Sequence, residues 1–245
     1  MSEPLPPAPP PPGAPPAPPA AAGARPGNPW DRRHELGFLP ALVGAIQQFA
    51  VAPTRTFDDT RETGDYGGPL LFALLVGWLS VVVSQLWNLA LRSFLGPMVP
   101  PELAEQLGPF FAGGMVSFFF SVLIAPLYIV VGTFVVAGIL HLCLMVVGGL
   151  ASSRSRFEGT FRVVCFASVA NLAQIVPLAG GLLAMVWWLV LGTIGLSSLH
   201  RTSQGKALLA ILIPLILCCV CAILGAVLFG ASIAALVAGA SGAGG

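Results

Sequence analysis

The sequence predicts an all-α integral membrane protein, a five-span transmembrane helical bundle behind a disordered, proline-rich N-terminal tail. Three observations lead there. Only 9% of the 245 residues are charged, against about 25% in a soluble globular chain. Apolar runs recur between Pro69 and Gly230, and several reach the roughly 20 residues that cross a bilayer as a helix. The 11 basic residues gather in the polar stretches between those runs.

Residues 1–30 hold 13 of the 23 prolines. Such a segment adopts extended polyproline II and buries no core. Arg25 is its one basic anchor, so a spacer fits better than an SH3- or WW-type ligand. Residues 31–68 form a cytoplasmic juxtamembrane segment. Within "DRRHELGFLPALVGAIQQFAVAP", Leu39, Leu42, Val43, Ile46, Phe49 and Ala50 recur at spacings of three and four, with Gln47 and Gln48 opposite. That pattern predicts an amphipathic helix, lying in the membrane interface or packed on the bundle.

The transmembrane domain covers 69–238. Residues 69–91, 180–199 and 207–230 each suffice for a span, and 160–176 is shorter but adequate inside a bundle. Phe110 to Leu150 contains no charged residue. "LIAPLYIV" around Pro126 offers no polar turn residue, and a proline in a span more often kinks a helix than ends it. One span at 126–149 is expected, with 110–125 either on the membrane surface or forming the upper part of the same helix. Residues 239–245 are a tail of small residues.

Charge selects the topology. Lysine and arginine are enriched in cytoplasmic loops, and the N-terminus shows no apolar signal-peptide core that would direct orientation otherwise. With five spans and the N-terminus inside, Arg25, Arg32, Arg33, Arg55, Arg61, Arg154, Arg156, Arg162, Arg201 and Lys206 are cytoplasmic, and Arg92 alone is outside. Six spans would put the Arg154 cluster outside. Ten arginines to one lysine point to a GC-rich bacterial genome, hence a bacterial inner membrane. The cluster also opens a helix: Ser155-Arg156-Phe157-Glu158 fits a capping box.

No chemistry of the enzymatic kind is visible. His34-Glu35 lacks the second histidine of a zinc protease, and "GLSSL" lacks the second glycine of a nucleophile elbow. There is no phosphate-binding loop or dinucleotide fingerprint. Cys143, Cys165, Cys218, Cys219 and Cys221 lie in apolar runs, where packing is favoured over metal binding or disulfides. No cofactor, metal site or nucleic-acid partner is expected.

Polar groups inside a membrane are the default site candidates. His141 is the one ionisable side chain predicted within a span, and a neutral ring bonded to a neighbouring helix is the favoured reading. Gln85 and Asn88 in the first span, and Asn171 and Gln174 in the third, sit at similar depth near the outer ends. They read as interhelical packing bonds before a substrate site. Ala222, Ala226, Gly230, Ala234 and Ala238 recur every fourth residue, a small-residue stripe that lets helices approach closely, within one bundle or between two copies. Arg154, Arg156, Arg162, Arg201 and Lys206 form a basic inner face that could hold anionic lipid or an acidic partner segment.

"FAVAPTRTFDDTRETGDYGGPLLFALLVGW", "APLYIVVGTFVVAGILHLCLMVVGG" and the stretch from "FEGTFRVVCFASVAN" to "KALLAILIP" together resemble the Yip-one family, the Rab-interacting-type membrane domain, over roughly residues 41–230. The resemblance implies a five-span bundle with a cytoplasmic N-terminus and no catalytic motif. Eukaryotic members are linked to Rab GTPases and vesicle traffic, so a small GTPase partner follows by family analogy alone. "CFASVAN" stands where those members tend to carry a Gly-Tyr pair. The expected function is a membrane-organising scaffold or adaptor that recruits lipid or a cytoplasmic protein. The alternative is a small transporter or channel subunit.

Overall fold

A computed structural model of the chain describes residues 25–95, 98 and 114–242. Three short helices come first: α1 (Arg33–Leu36), α2 (Phe38–Val51) and α3 (Pro53–Asp59). The long elements follow as α4 (Gly67–Leu95), α5 (Gly114–Val146), α6 (Arg156–Ala167), a 3-10 helix (Ser168–Ile175), α7 (Gly180–His200) and α8 (Gln204–Gly242). No strand occurs among the described residues.

Among the described residues, four helices are long and apolar enough to cross a membrane: α4, α5, α7 and the Gln204–Val227 part of α8. The chain is an integral membrane protein. The fifth expected span, 160–176, is not one helix. It is the 12-residue α6 continued by the 8-residue 3-10 helix. Its nine consecutive residues from Gly159 to Ala167 are all buried, so this composite runs through the middle of the bundle. It carries Thr160 and Arg162 there because both are partnered, Thr160 by His141 and His200 and Arg162 by three carboxylates.

The block around Pro126 resolves into a single helix, α5, with Pro126 inside it. Residues 114–125 are therefore its upper part, and 110–113 lie outside the described residues. Proline removes the amide that would bond the carbonyl four residues earlier. That carbonyl is Val122, and the Trp78 indole of α4 supplies the missing donor at 3.0 Å. Inside hydrocarbon, each freed backbone group needs such a replacement. Trp87, further along α4, donates to Ile175 O at 2.9 Å and so caps the end of the 3-10 helix.

The N-terminal residues 1–24 lie outside the described set, but the expected tail boundary at 30 moves. Trp30 is fully buried; its Nε1 donates to Gly68 O at 2.7 Å, and its ring packs on Phe38 and Phe72. Asn28 donates through its side chain to Thr60 Oγ1 at 3.0 Å. Residues 25–66 thus wrap one end of the bundle. The predicted amphipathic helix is α2. It packs inward through Ala41, Ala45 and Phe49 and leaves Leu39 and Val43 exposed, a half-apolar outer face that suits the membrane interface.

The expected capping box does not form. Ser155 precedes α6 without a side-chain cap, because its hydroxyl donates to Leu199 O at 3.0 Å instead. Glu158 turns to Arg162. Close approach of α6, α7 and α3 depends on Gly195: a Cβ there would sit 2.7 Å from Val163 Cγ1 and 2.8 Å from Phe57 Cε1. At the C-terminus α8 continues to Gly242, through most of the expected 239–245 tail.

Candidate functional site

One end of the bundle collects residues 25–66, the α5–α6 loop, the α7–α8 loop and most of the basic side chains. Arg162 sits at its centre and is 1% exposed. Its Nη1 bonds Asp31 Oδ1 at 3.0 Å, its Nη2 reaches Asp65 Oδ1 at 3.4 Å, and its Nε bonds Glu158 Oε1 at 3.1 Å. Asp31 and Asp65 also accept backbone amides, from Arg61 at 3.1 Å and Gly68 at 2.6 Å. A buried charge survives only when paired and hydrogen-bonded, and every arm of this guanidinium is. Arg162 therefore leaves the expected lipid-facing set. It locks α6 to the N-terminal wrap.

A second ionic group straps the wrap to α7. Arg201, in left-handed conformation at the α7 C-terminus, bonds Glu62 Oε1 at 2.7 Å. Arg25 reaches the same oxygen at 3.4 Å and donates to Phe57 O and Ser198 O at 2.8 and 2.9 Å. Arg154, Arg156 and Lys206 differ. All three are exposed. Among the described residues, Arg154 and Arg156 form no ion pair, and Lys206 donates only to Gly148 O, at 3.2 Å, across the two loops. The expected basic face thus contracts to these three, with Arg201 half-engaged beside them.

His141 bonds a neighbouring helix: its Nδ1 lies 2.9 Å from Thr160 Oγ1 on α6. It is not alone. His200, which is fully buried, places Nε2 2.9 Å from the same hydroxyl and Nδ1 2.7 Å from Ser153 Oγ. A hydroxyl donates once and accepts from elsewhere. Donors running in either direction along Ser153–His200–Thr160–His141 satisfy the row with both rings neutral.

The polar amides come together in part. Gln85, Asn171 and Gln174 line one cavity of about 260 Å³ with Ser80, Ser84 and Tyr128. Asn88 turns away, donating to Ser84 O at 2.9 Å on its own helix. No hydrogen bond joins the two amide pairs among the described residues, so the expected packing bonds are not made. The 3-10 helix explains the placement. At three residues per turn, side chains three apart eclipse, so Ser168, Asn171 and Gln174 stand in one row. Ser168 escaped the sequence reading because α-helical spacing spreads the same three around the axis.

Ala222 and Ala226 are exposed, so this part of the small-residue stripe is not buried in the bundle formed by the described residues. The side chains of Gly230, Ala234 and Ala238 lie outside the described set. Cys218, Cys219 and Cys221 are exposed as well; the favoured packing role holds for buried Cys165 and not for them. No group of three or more His, Cys, Asp or Glu that could hold a metal ion occurs among the described residues.

Neither the curated proteins nor the solved structures contain a match to this chain. The family model for the Yip1 domain matches residues 47–226. That interval runs from the middle of α2 through all four apolar helices and takes in Arg162, the histidine row and the amides. With most of its length matched, this membrane-spanning chain belongs to the Yip1 domain family.

Proposed function

We propose that this chain is a non-enzymatic membrane scaffold or adaptor, set in a bacterial inner membrane with its basic end in the cytoplasm, that holds anionic lipid or an acidic segment of a cytoplasmic partner. One observation carries the reading. Arg25, Arg33, Arg162 and Arg201 are all matched by carboxylates within the fold, while exposed Arg154 in the adjoining loop and Arg156 at the start of α6 form no ion pair among the described residues. Internal pairing leaves these charges free for an external anion. Basic residues at a membrane surface attract anionic headgroups by about 1 kcal/mol each.

The test is Arg154→Gln with Arg156→Gln in the full chain, reconstituted in nanodiscs of anionic or neutral lipid. Enrichment of anionic lipid around the protein should fall several-fold, with thermal unfolding and orientation unchanged. Unaltered enrichment would reduce the loop to a topology signal. A transporter or channel reading draws on the cavities around Asn171, but none of them is lined by a carboxylate, histidine or other charged side chain, which leaves a coupled proton no group titrating near neutral pH there.

A further inference from the structure

Three cavities meet at Asn171. The largest, about 460 Å³, is a cleft between α5, α7 and α8, walled by apolar side chains such as Val136, Met185, Trp188 and Leu215. Behind it lies one of about 240 Å³ that shares Asn171, Val136 and Trp188 and reaches Ser168. The third, about 260 Å³, shares Asn171 and Gln174 with the cleft. The cleft alone falls within the range of about 300–1,000 Å³ usual for small-molecule sites, which are mostly apolar with a few placed polar groups.

Three polar side chains here lack partners among the described residues. Ser168 is 8% exposed, and its Oγ has no hydrogen-bond partner. The side chains of Asn171 and Gln174 bond nothing among the described residues. Ser168 is thus a buried polar group left unsatisfied, which is unfavourable, with half-buried Asn171 and Gln174 beside it; within a membrane such groups mark function by default. The 3-10 run of eight residues sustains this row well beyond the three or four residues such helices usually last. The row therefore offers donors and acceptors, in line, to something that enters from the cleft.

We infer that the cleft and the Ser168–Asn171–Gln174 row bind a neutral, hydroxyl-bearing lipid of the acylglycerol kind. Its hydrocarbon chain lies along Met185, Trp188 and Leu215. Its hydroxyl and ester oxygens bond the row. Neutrality follows from the walls: no Asp, Glu, Lys, Arg or His lines any of the three cavities, so a phosphate or carboxylate would arrive desolvated and unpaired. The site is independent of the basic loop and of the scaffold reading.

Photolabelling tests it. The full chain in nanodiscs is irradiated with a diazirine-bearing monoacylglycerol, a diazirine fatty acid, or a diazirine alkane, and adducts are mapped by mass spectrometry. The monoacylglycerol should label α7 and α8 at Met185, Trp188 or Leu215. It should exceed both other probes there by about fivefold or more, and unlabelled monoacylglycerol should compete. Asn171→Leu should abolish the preference. Gly181→Leu should block labelling without disturbing the fold, because a Cβ at that cleft position meets nothing within 4 Å; it decides the matter if Asn171→Leu fails to fold. Equal labelling by all three probes, adducts spread over every lipid-facing surface, or full labelling of Gly181→Leu would overturn the assignment.

Discussion

The indole N–H of Trp78 donates to the carbonyl of Val122 at 3.0 Å, the acceptor that Pro126 leaves without a helical donor. One residue thereby repairs a defect created by another on a different helix. Removing the donor by Trp78→Phe should cost about 1–3 kcal/mol, the usual penalty for leaving an acceptor unsatisfied away from water. In Pro126→Ala, α5 regains its own amide at that position. The Trp78→Phe penalty should then shrink to the packing loss alone. Thermal unfolding of the four proteins in one detergent gives the cycle. An equal penalty in both backgrounds would mean the indole bond contributes nothing.

Arg162 gives a second prediction. Two of its partners lie far upstream in the N-terminal wrap, Asp31 at 3.0 Å and Asp65 at 3.4 Å. Arg162→Met strands the buried carboxylate of Asp31, and breaking a buried pair by removing one partner typically costs about 3–5 kcal/mol. Asp31→Asn removes that charge, so the double variant should recover part of the loss. The readout is the folded fraction after solubilisation, together with the unfolding midpoint. A single variant as stable as the parent would contradict the buried ionic lock.

How much of this was visible beforehand follows from the range of each interaction. The helices α4, α5, α7 and α8 are continuous apolar runs, and continuity is a local property. Arg162 was read as a surface cation because its burial depends on Asp31, 131 positions away. A lone arginine between Phe161 and Val163 was the available clue. Trp30 was hidden by its proline-rich neighbours, although a tryptophan is an unusual residue for a solvated spacer. His200 sat at a span end, where a polar residue excites no suspicion. The row of Ser168, Asn171 and Gln174 needed a switch of helical period, which bundle packing decides and apolar periodicity does not announce.

Ala226 separates intrachain packing from association. Because it is exposed, Ala226→Leu should shift monomer stability by no more than about 0.5 kcal/mol, as surface substitutions usually do. If the stripe joins two copies, the same change should reduce self-association, since a bulky side chain holds helices apart. Unfolding and sedimentation in detergent are measured together. A large loss of monomer stability would show that Ala226 packs within its own bundle after all.

The last prediction concerns the composite of α6 and the 3-10 helix. Its start is tied to the basic end by Ser155, bonded to Leu199 O at 3.0 Å, and by Arg162. Its finish, Ile175, is bonded at 2.9 Å to Trp87, which lies about 30 Å along α4 from Gly67 at 1.5 Å per residue. The following helix α7 has 21 residues, so it needs to return over about the same distance to bring His200 back beside Ser153. The segment 176–179 should therefore lie at the far side, although among the described residues four helices qualify as spans by length and hydropathy. Leu178 is 87% exposed there. With the five native cysteines replaced by alanine, Leu178→Cys should react with a membrane-impermeant maleimide added outside intact cells. Ser152→Cys, in the α5–α6 loop, should react only after permeabilisation, and a reporter after Gly245 should be extracytoplasmic. If Leu178→Cys and Ser152→Cys are labelled from the same side, the composite does not cross the membrane and the basic end cannot be the cytoplasmic face in the way the charges demand.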